Sequence, residues 1–305
     1  MTKIAFLFPG QGSQFPGMGK GLAETYASAR AVFEEADATL GFPLSKLCFE
    51  GPEDALKRTE NTQPALLTVS SAAFAVLREL GHEPDYVAGH SLGEYSALVA
   101  AGALEFADAL RLVRKRGQYM QEAVPQGVGA MAALLKLPEG KLDEILAEAA
   151  QGEVVSAANL NSPDQVVIAG HAGAVERAMA LAKNAGARRA VPLPVSAPFH
   201  CALMKPAQDR LAVDLNNTPF EDLRWPLINN VAARQVRRGA EARQGLIDQV
   251  SSPVRWNESI RALAALGVER TIEAGAGGVL TGMLRSIEPA LKGVKFGEPV
   301  DLNSL

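Results

Sequence analysis

The pentapeptide Gly89-His90-Ser91-Leu92-Gly93 lies where the apolar run Tyr86-Val87-Ala88 gives way to a helical pattern that begins at Glu94. A G-x-S-x-G sequence at a strand-to-helix junction is typical of a nucleophile elbow, a sharp turn that exposes the serine hydroxyl. The N–H groups of the following helix then face the serine, where they can stabilise an oxyanion. A tight turn with an ordinary capping serine is the alternative interpretation. The pentapeptide therefore predicts an α/β fold with Ser91 as a candidate nucleophile.

The size and composition of the chain are those of a globular protein with a large core. It has 305 residues, of which 48% are hydrophobic and 21% charged. A net charge of −4 argues against general nucleic-acid binding, which needs a basic surface. No apolar run approaches the roughly 20 residues of a membrane span, and the first residues lack the features of a signal peptide. Cys48 and Cys201 have no metal-ligand spacing, so we expect no metal site. Together these features also predict no membrane association and a cytoplasmic location.

Strands and helices alternate in the first and last parts of the chain, as in a parallel α/β sheet. Before residue 124 the predicted elements are strands Ile4–Phe8 and Tyr86–Gly89 and helices Gly19–Leu40, Pro64–Leu80 and Phe106–Glu122. After residue 200 they are strands Leu227–Asn229 and Thr271–Glu273 and helices Ala202–Leu215, Glu258–Leu266 and Val279–Ile287.

The middle of the chain has a different pattern, β-α-β-β-α-β, which is the split unit of a ferredoxin-like domain. Its predicted elements are Ala130–Leu137, Pro138–Ala150, Val154–Asn159, Gln165–Ala169, Ala174–Ala185 and Arg189–Val195. Pro138 is expected to start its helix, and Asn161-Ser162-Pro163-Asp164 to form the hairpin turn. We therefore expect two subdomains. A large, α/β-hydrolase-like one with a parallel sheet covers residues 1–123 and 197–305, and a small ferredoxin-like one is inserted over residues 124–196.

A serine is a poor nucleophile at neutral pH and needs a base, for which four histidines are available. His90 precedes Ser91, so its side chain is expected to point away from the serine, and His82 and His171 lie in a loop and a turn. His200 follows the extended segment that returns from the insert, and a crevice between subdomains is a common location for a site. His200 is therefore the candidate base, with a buried structural histidine as the alternative. Spacing assigns no acid to a triad, and a backbone carbonyl or an amide side chain would also serve as acceptor for the histidine.

Two glycine-rich stretches follow predicted strands. Pro9-Gly10-Gln11-Gly12-Ser13-Gln14 places Gln11 at the C-terminal end of a core strand, where open α/β sheets bind ligands. A nucleotide loop is the rival interpretation, but the stretch lacks both the Gly-Lys-Ser/Thr of a P-loop and the G-x-G-x-x-G spacing. Gly275-Ala276-Gly277-Gly278 has no phosphate-binding lysine, and close backbone packing is the simpler interpretation there.

Seven motifs are spread along nearly the whole chain. In chain order they are Phe8-Pro9-Gly10-Gln11-Gly12-Ser13-Gln14, Gln63-Pro64-Ala65, Gly89-His90-Ser91-Leu92-Gly93-Glu94-Tyr95, Arg116-Gly117-Gln118-Tyr119-Met120, Asn161-Ser162-Pro163, Pro194-Val195-Ser196-Ala197-Pro198-Phe199-His200 and Asn229-Asn230-Val231. Together they resemble the malonyl-CoA:acyl-carrier-protein transacylases of bacterial fatty acid synthesis. The acyltransferase domains of polyketide synthases are similar as well. The resemblance implies transfer of a malonyl group from malonyl-CoA to an acyl carrier protein.

The resemblance also implies roles for individual residues. Ser91 matches the nucleophile that becomes malonylated, and His200 matches its base. The backbone N–H groups of Gln11 and Leu92 match the oxyanion hole. Arg116 matches the arginine that pairs with the free malonyl carboxylate. Without the resemblance, Arg116 is interpreted as one of four basic residues on a solvated helix face. The implied role is physically reasonable, because the malonyl carboxylate needs a partner when it is buried and the planar guanidinium of arginine can pair it bidentately.

Two further positions and the partners follow from the same resemblance. Gln249 aligns with the position that orients the histidine, and Phe199 with a position that accompanies the choice of malonyl over methylmalonyl. No metal or redox cofactor is implied, and we expect a monomer. The acidic carrier protein needs a basic patch, for which Arg188-Arg189 and the run Arg111–Arg116 are both candidates. A polyketide pathway, malonate decarboxylation and a thioesterase-like serine hydrolase are the alternative functions.

Overall fold

The computed structural model of the protein describes residues 2–195 and 197–305, in which two β-sheets are flanked by helices. Ser196, the last residue of the predicted insert, lies outside the described residues. The strands are β1 Lys3–Phe8, β2 Tyr86–Gly89, β3 Gly129–Leu135, β4 Val155–Ser162, β5 Gln165–His171, β6 Arg189–Pro192, β7 Leu227–Ile228, β8 Gln235–Val236, β9 Val268–Ala274 and β10 Lys292–Phe296.

The helices surround these strands on both faces of the larger sheet and one face of the smaller. They are α1 Lys20–Thr25, α2 Ala27–Leu40, α3 Leu44–Glu50, α4 Glu53–Lys57, α5 Thr59–Glu79, α6 Gly93–Ala100, α7 Phe106–Glu122, α8 Leu142–Ala150, α9 Ala172–Asn184, α10 Lys205–Asn216, α11 Gly239–Gln249, α12 Trp256–Ala265 and α13 Val279–Ile287. Short 3₁₀ segments cover Ala202–Met204 and Pro299–Ser304.

The larger sheet has six strands in the order β10-β9-β1-β2-β7-β8, and every neighbouring pair is parallel except β7 and β8. The central strand β1 is buried on both faces, as a strand covered by helices on both sides must be. Phe6 and Phe8 pack into the core that contains α5, whereas Ala5 and Leu7 pack against α12 and α13. The alternation follows from the two-residue period of a strand. An α/β fold with a parallel sheet is therefore confirmed.

The smaller sheet is antiparallel, with the order β4-β5-β3-β6, and is formed by residues between 129 and 192. One face carries α8 and α9, and Ala132 and Leu134 of β3 belong to the core beneath them. Met131 and Ala133, on the opposite face of β3, belong to the same core as Phe6 and α5. The smaller sheet therefore lies against the larger one rather than standing free of it.

A main-chain link joins the two sheets at their junction. The Leu160 N–H donates to the Val254 carbonyl at 2.9 Å, and the Val254 N–H donates to the Ala158 carbonyl at 2.9 Å. Asn159 and Val254 form an isolated parallel bridge at this point. The link holds Asn159 of β4 beside the segment that follows α11.

Three predicted elements match the structure at both ends: β2, α7 and α13. The predicted helix Pro138–Ala150 begins too early, because Gly140 has φ of 78° and a helix cannot pass through the left-handed region. The predicted strand Arg189–Val195 ends at Pro192, on the edge of its sheet. The predicted turn of four residues shortens to Pro163–Asp164, since β4 continues to Ser162.

Several elements have no counterpart in the sequence prediction: α3, α4, α11, β8 and β10. None of the helices in the described part of the chain combines the length and apolar character needed to cross a membrane. Within the same residues no group of three or more His, Cys, Asp or Glu side chains is arranged to hold a metal ion.

Candidate active site

The pentapeptide forms a sharp turn between β2, which ends at Gly89, and α6, which begins at Gly93. Ser91 at its tip has φ of 52°, in the left-handed region that L-residues rarely adopt. A Cβ on Gly89 would lie 1.9 Å from the carbonyl oxygen of Gly93, and a Cβ on Gly93 would lie 2.0 Å from that of Phe8. Both positions therefore require glycine, and the turn packs directly on the end of β1.

Asn230, in the segment after β7, holds this turn from the other side. Its Oδ1 accepts a hydrogen bond from the Ser91 N–H at 2.7 Å, and its Nδ2 donates to the Gly89 carbonyl at 2.7 Å. The side chain is fully buried. One amide thus pairs with a main-chain donor and a main-chain acceptor of the turn.

Ser91 and His200 form a hydrogen-bonded dyad. Ser91 Oγ lies 2.7 Å from His200 Nε2, and His200 Nδ1 lies 2.9 Å from the main-chain oxygen of Gln249. Because a carbonyl oxygen can only accept, Nδ1 carries the proton and Nε2 is left to accept from the serine hydroxyl. The carbonyl takes the place of the carboxylate in a Ser-His-Asp triad. The pair can remove the serine proton during attack on an electrophile.

The surroundings of His200 keep its ring neutral. Burial is the main cause that lowers the pKa of His200 to about 3, and the positive charge of Arg116 lowers it further. The hydrogen bond to the Gln249 carbonyl opposes this shift. His200 therefore has a free acceptor nitrogen throughout the neutral and mildly acidic pH range.

Arg116 points inward from α7 and is only 2% exposed, so the interpretation as part of a solvated helix face is wrong for this residue. Its Nη1 donates to Gln63 Oε1 at 2.7 Å, and its Nη2 donates to Gln249 Oε1 at 3.0 Å and to Ser91 Oγ at 3.2 Å. All three acceptors are neutral, and Nε has no hydrogen-bond partner among the described residues. The guanidinium can therefore receive an anion next to the serine.

Gln249 contributes through both its main chain and its side chain. Its main-chain oxygen accepts from His200, as above, whereas its Oε1 accepts from Arg116 and its Nε2 donates to the Ser91 carbonyl at 3.1 Å and to Glu94 at 3.0 Å. From the sequence, either a backbone carbonyl or an amide side chain could orient the histidine. In the structure the acceptor is the carbonyl, and the amide contacts Arg116 instead.

Gln11 and Leu92 both line a cavity that opens at Ser91. The Gln11 side chain accepts from Thr59 Oγ1 at 2.7 Å, which turns it towards α5. The main-chain N–H groups of Gln11 and Leu92 donate no hydrogen bond to another residue within 2–195 and 197–305. Two such N–H groups beside a nucleophile can hold a developing oxyanion.

The cavity at Ser91 has a volume of about 110 Å³ and lies between the two sheets. The smaller sheet, the loops that follow β1, β2 and β6, and helices α5 and α7 supply its lining. The lining residues are Gln11, Gln63, His90, Ser91, Leu92, Arg116, Met120, Met131, Asn159, Leu193, Val195, Phe199 and His200. A second cavity, of about 440 Å³, shares five of these residues and reaches Gln165 and α13. The predicted site residues are thus gathered in one place, with Phe199 in the cavity wall beside the dyad.

His90 is not part of the dyad. Its Nε2 lies 2.8 Å from Asn161 Oδ1, and its ring packs edge-on against Trp256. The expectation that its side chain turns away from Ser91 Oγ agrees with these contacts. Through its contact with Asn161 of β4, His90 connects the turn to the smaller sheet.

Glu94 and Asn230 are site residues to which the sequence analysis gave no role. Glu94 is fully buried in α6, and burial raises its pKa to about 7, against the opposing effects of its hydrogen bonds and of Arg116. A signal was present, because a glutamate within an otherwise apolar helical pattern has to find a polar partner. Asn230 belongs to one of the resembling motifs, Asn229-Asn230-Val231, but its residue type alone gave no such signal, since asparagine is common in surface turns.

Comparisons with known proteins agree with this site. A family model described as the acyl transferase domain matches residues 5–292. The malonyl CoA-acyl carrier protein transacylase of Escherichia coli (strain K12) is 51% identical over 300 residues, which are 98% of this chain and 97% of that protein.

Solved structures of related proteins superimpose along the whole chain. The crystal structure of an acyl carrier protein S-malonyltransferase from Vibrio cholerae has a TM-score of 0.97 and 50% identity, and the match covers 99% of each chain. A malonyl-transacylase in complex with its type II PKS acyl-carrier protein has a TM-score of 0.97 and 46% identity, with 99% of this chain and 98% of that one covered. The chain therefore belongs to the acyl transferase family, and within it to the malonyl CoA-acyl carrier protein transacylases.

Proposed function

We propose that this protein transfers the malonyl group from malonyl-CoA to the phosphopantetheine thiol of an acyl carrier protein, through a malonyl ester on Ser91. The observation that carries this proposal is the contact of Ser91 Oγ with two groups at once, His200 Nε2 at 2.7 Å and Arg116 Nη2 at 3.2 Å. A base activates the serine, and a buried cation beside it selects a substrate that carries a distal carboxylate. Malonyl-CoA has both the thioester and the carboxylate.

In the first half-reaction Ser91 Oγ attacks the thioester carbonyl of malonyl-CoA while His200 Nε2 takes the serine proton. The developing oxyanion accepts hydrogen bonds from the N–H groups of Gln11 and Leu92. The C–S bond then breaks, His200 returns the proton to the departing sulfur, and CoA leaves as the free thiol. The malonyl group remains on Ser91 as an ester.

The second half-reaction repeats these steps in the reverse direction. The phosphopantetheine thiol of the carrier protein gives its proton to His200 and attacks the ester carbonyl. The same two N–H groups hold the oxyanion, the C–O bond to Ser91 breaks, and His200 protonates the serine oxygen. Every proton is carried by His200, so the reaction as written uses no metal and no redox cofactor.

The malonyl carboxylate is proposed to bind Arg116. Burying a carboxylate without a partner is costly, and a planar guanidinium can pair it through two parallel hydrogen bonds. Gln63 and Gln249 hold the guanidinium in place before the substrate arrives. Nη2 lies 3.2 Å from Ser91 Oγ, so a carboxylate that binds the guanidinium there is close to the nucleophile.

Phe199 is proposed to restrict the acyl group to malonyl, because its ring lines the cavity beside the dyad, where an α-methyl branch would need space. Phe199→Ser should keep malonyl transfer and raise the use of methylmalonyl-CoA. The ratio of kcat/KM for the two thioesters measures the effect. An unchanged ratio would remove Phe199 from the selectivity determinants.

Intact-mass analysis after mixing with malonyl-CoA tests the proposal directly. The chain should gain the mass of one malonyl group, the modified peptide should contain Ser91, and addition of a carrier protein should remove the group. Ser91→Ala should show no gain and keep the melting temperature of the parent protein. A modified peptide elsewhere in the chain, or release of the acyl group to water in place of the carrier thiol, would contradict the assignment and favour the hydrolase alternative.

Transfer to a polyketide carrier protein is a second candidate, favoured by the match to a malonyl-transacylase solved with its type II PKS acyl-carrier protein. The chemistry at Ser91 is the same in both cases. Comparing kcat/KM for fatty acid and polyketide carrier proteins with the same malonylated enzyme distinguishes them.

The architecture supports a proposed division into two subdomains. The antiparallel sheet with the order β4-β5-β3-β6 and its two helices correspond to the inserted ferredoxin-like unit over residues 124–196. The six-stranded sheet with the elbow after β2 corresponds to an α/β-hydrolase-like unit over residues 1–123 and 197–305. We also propose a cytoplasmic location, where CoA thioesters and carrier proteins of this pathway meet.

A further inference from the structure

Glu94 is a buried carboxylate that the proposed mechanism does not use. It lies in the first turn of α6, and its side chain is fully buried. Oε2 accepts hydrogen bonds from the Asn230 N–H at 2.9 Å and from Gln249 Nε2 at 3.0 Å, whereas Oε1 has no hydrogen-bond partner among the described residues. A carboxylate in such a place needs a nearby positive charge to stay ionised.

Arg116 supplies that charge, and the connection runs through the side chain of Gln249. The amide oxygen of Gln249 accepts from Arg116, and its amide nitrogen donates to Glu94. An amide has one accepting end and one donating end, so the row Arg116–Gln249–Glu94 fits together in one orientation of Gln249. Glu94 accepts from the donating end together with the Ser91 carbonyl and Asn230 Oδ1, and this orientation presents the amide oxygen to Arg116.

We propose that Glu94 is the buried counter-ion of Arg116 and a positioning residue that, through Gln249, controls how strongly the site binds the carboxylate of the substrate. The inference rests on the proposed role of Arg116. In the free site an ionised Glu94 balances the charge of Arg116. The malonyl carboxylate adds a second negative charge, so an ionised Glu94 opposes its binding and a protonated Glu94 does not.

The groups around Glu94 make this balance sensitive to pH. Tyr95 comes from the same helix, Arg116 from α7, and His200 from across Ser91, while α11 and the segment after β7 present the amides of Gln249 and Asn230. Burial raises the pKa of Tyr95 and lowers that of His200, so both are neutral near pH 7. Arg116 is then the charge that acts on Glu94, whose pKa burial raises to about 7. Binding of an anion at Arg116 should therefore weaken as pH rises through about 7.

Free malonate is the probe for this anion site, and Glu94→Gln is the decisive variant. The single amide oxygen of glutamine can keep both hydrogen bonds that Oε2 accepts, so the substitution removes the charge and keeps the geometry. The inhibition constant of malonate against malonyl-CoA should fall by roughly 5-fold or more, the lower end of coupling between two sites. The KM for acetyl-CoA, which has no carboxylate, should stay within about twofold.

Glu105→Gln is the matched control, since Glu105 is an exposed carboxylate at the N-terminus of the helix that carries Arg116. It makes the same chemical change in solvent and should leave malonate inhibition unchanged. In the control and in the parent protein the inhibition constant, corrected for the titration of malonate itself, should rise between about one pH unit below and one above the Glu94 pKa of about 7. In Glu94→Gln that rise should disappear.

The outcomes separate this inference from the proposed function. If malonate inhibits the parent protein and Arg116→Ala equally well, the role of Arg116 itself is wrong. If Arg116→Ala loses inhibition but Glu94→Gln binds malonate no better, or loses malonyl and acetyl activity alike, Glu94 is only structural and the inference fails. If Glu94→Gln does not fold, a flat pH profile of malonate inhibition in the parent protein still overturns it.

Discussion

The environment of His200 determines how the acylation of Ser91 should respond to pH. Its pKa is lowered to about 3, chiefly by burial, so the ring stays neutral well below the value of about 6.5 at which a free histidine gains a proton. We predict that the acylation rate of Ser91 at saturating malonyl-CoA does not decline as pH falls through about 6.5. Single-turnover acylation measured by mass is the test, and a decline with a midpoint near 6.5 would contradict the neutral, buried histidine. His200→Ala should slow acylation by roughly 10²-fold or more at every pH.

The lowered pKa of His200 preserves activity in mild acid but reduces folding stability there. The folded pKa of His200 lies below the unfolded value, so the unfolded chain binds the proton first as pH falls. The stability linked to this group is complete above about 6.5 and is lost as pH falls towards the folded value. The protein should therefore keep its chemistry while it loses stability in mild acid.

Arg116 should distinguish acyl groups by charge. Arg116→Ala leaves the malonyl carboxylate buried without a partner, so kcat/KM for malonyl-CoA should fall by an amount equivalent to about 3–5 kcal/mol. Acetyl-CoA lacks the carboxylate and should lose little. Arg116→Lys keeps the charge but not the planar fork, so its kcat/KM for malonyl-CoA should lie between those of the parent protein and Arg116→Ala. Equal losses for malonyl-CoA and acetyl-CoA in Arg116→Ala would assign the arginine a structural role.

At the scale of elements, the contact between α6 and β1 depends on a missing side chain. Gly93→Ala would place a Cβ 2.0 Å from the Phe8 carbonyl oxygen, which belongs to the central strand and cannot move aside. The variant should lose about 1–3 kcal/mol or more of unfolding free energy, together with acylation, because Ser91 is displaced with the helix. Gly282→Ala in α13 is the control, since nothing lies within 4 Å of its Cβ and alanine favours a helix. Equal melting temperatures for the two variants would show that the contact is not tight.

Elements with a strong apolar pattern were predictable from sequence, and those without one were not. The strand β2 and the helices α7 and α13 have regular buried positions and clear boundaries, and the prediction matched their ends. In contrast α11 contains Gly239 and Gly245 and has little apolar periodicity, while β10 is an edge strand with two lysines. Their formation depends on packing against distant parts of the chain.

The residues of the candidate site likewise divide into those that the local sequence identifies and those that it does not. Ser91 and His200 could be proposed from local sequence, because an elbow and a junction leave local signals. The inward direction of Arg116 could not be predicted, because its basic neighbours on α7 are more exposed to solvent. The row Arg116–Gln249–Glu94 could not be predicted either, because it joins α6 and α7 to α11, which lies far along the chain. The resemblance to the transacylase family pointed to Gln249. The structure shows that the main-chain carbonyl of Gln249, and not its side-chain amide, contacts the histidine.

At the scale of the whole molecule, one of the two predicted basic regions lies next to the cavity of about 440 Å³ that adjoins the one at Ser91. Lys136, Arg188 and Arg189 line a depression that shares Gln165 with the larger cavity. In the other candidate run Arg116 is buried, and the exposed Arg111 and Lys115 are already paired with Asp108 and Asp214. The docking surface for an acidic carrier protein is therefore predicted at Arg188-Arg189.

Charge reversal at Arg188 and Arg189 tests this surface. The double variant with both residues changed to glutamate should raise the KM for the carrier protein by roughly 10-fold at low salt, and the difference should shrink as salt is added. Arg111→Glu is the control on the rival surface and should have a smaller effect. A larger effect from Arg111→Glu would move the docking surface to α7.

The acceptor for His200 Nδ1 is a main-chain carbonyl, and this has an evolutionary consequence. In a triad with an aspartate, a single codon change removes the acceptor, whereas every amino acid at position 249 retains a carbonyl. Mutational drift at this codon can therefore alter the side chain that contacts Arg116 without deleting the partner of the histidine. Acyl preference can diverge among descendants of such a gene while the serine–histidine chemistry is inherited unchanged.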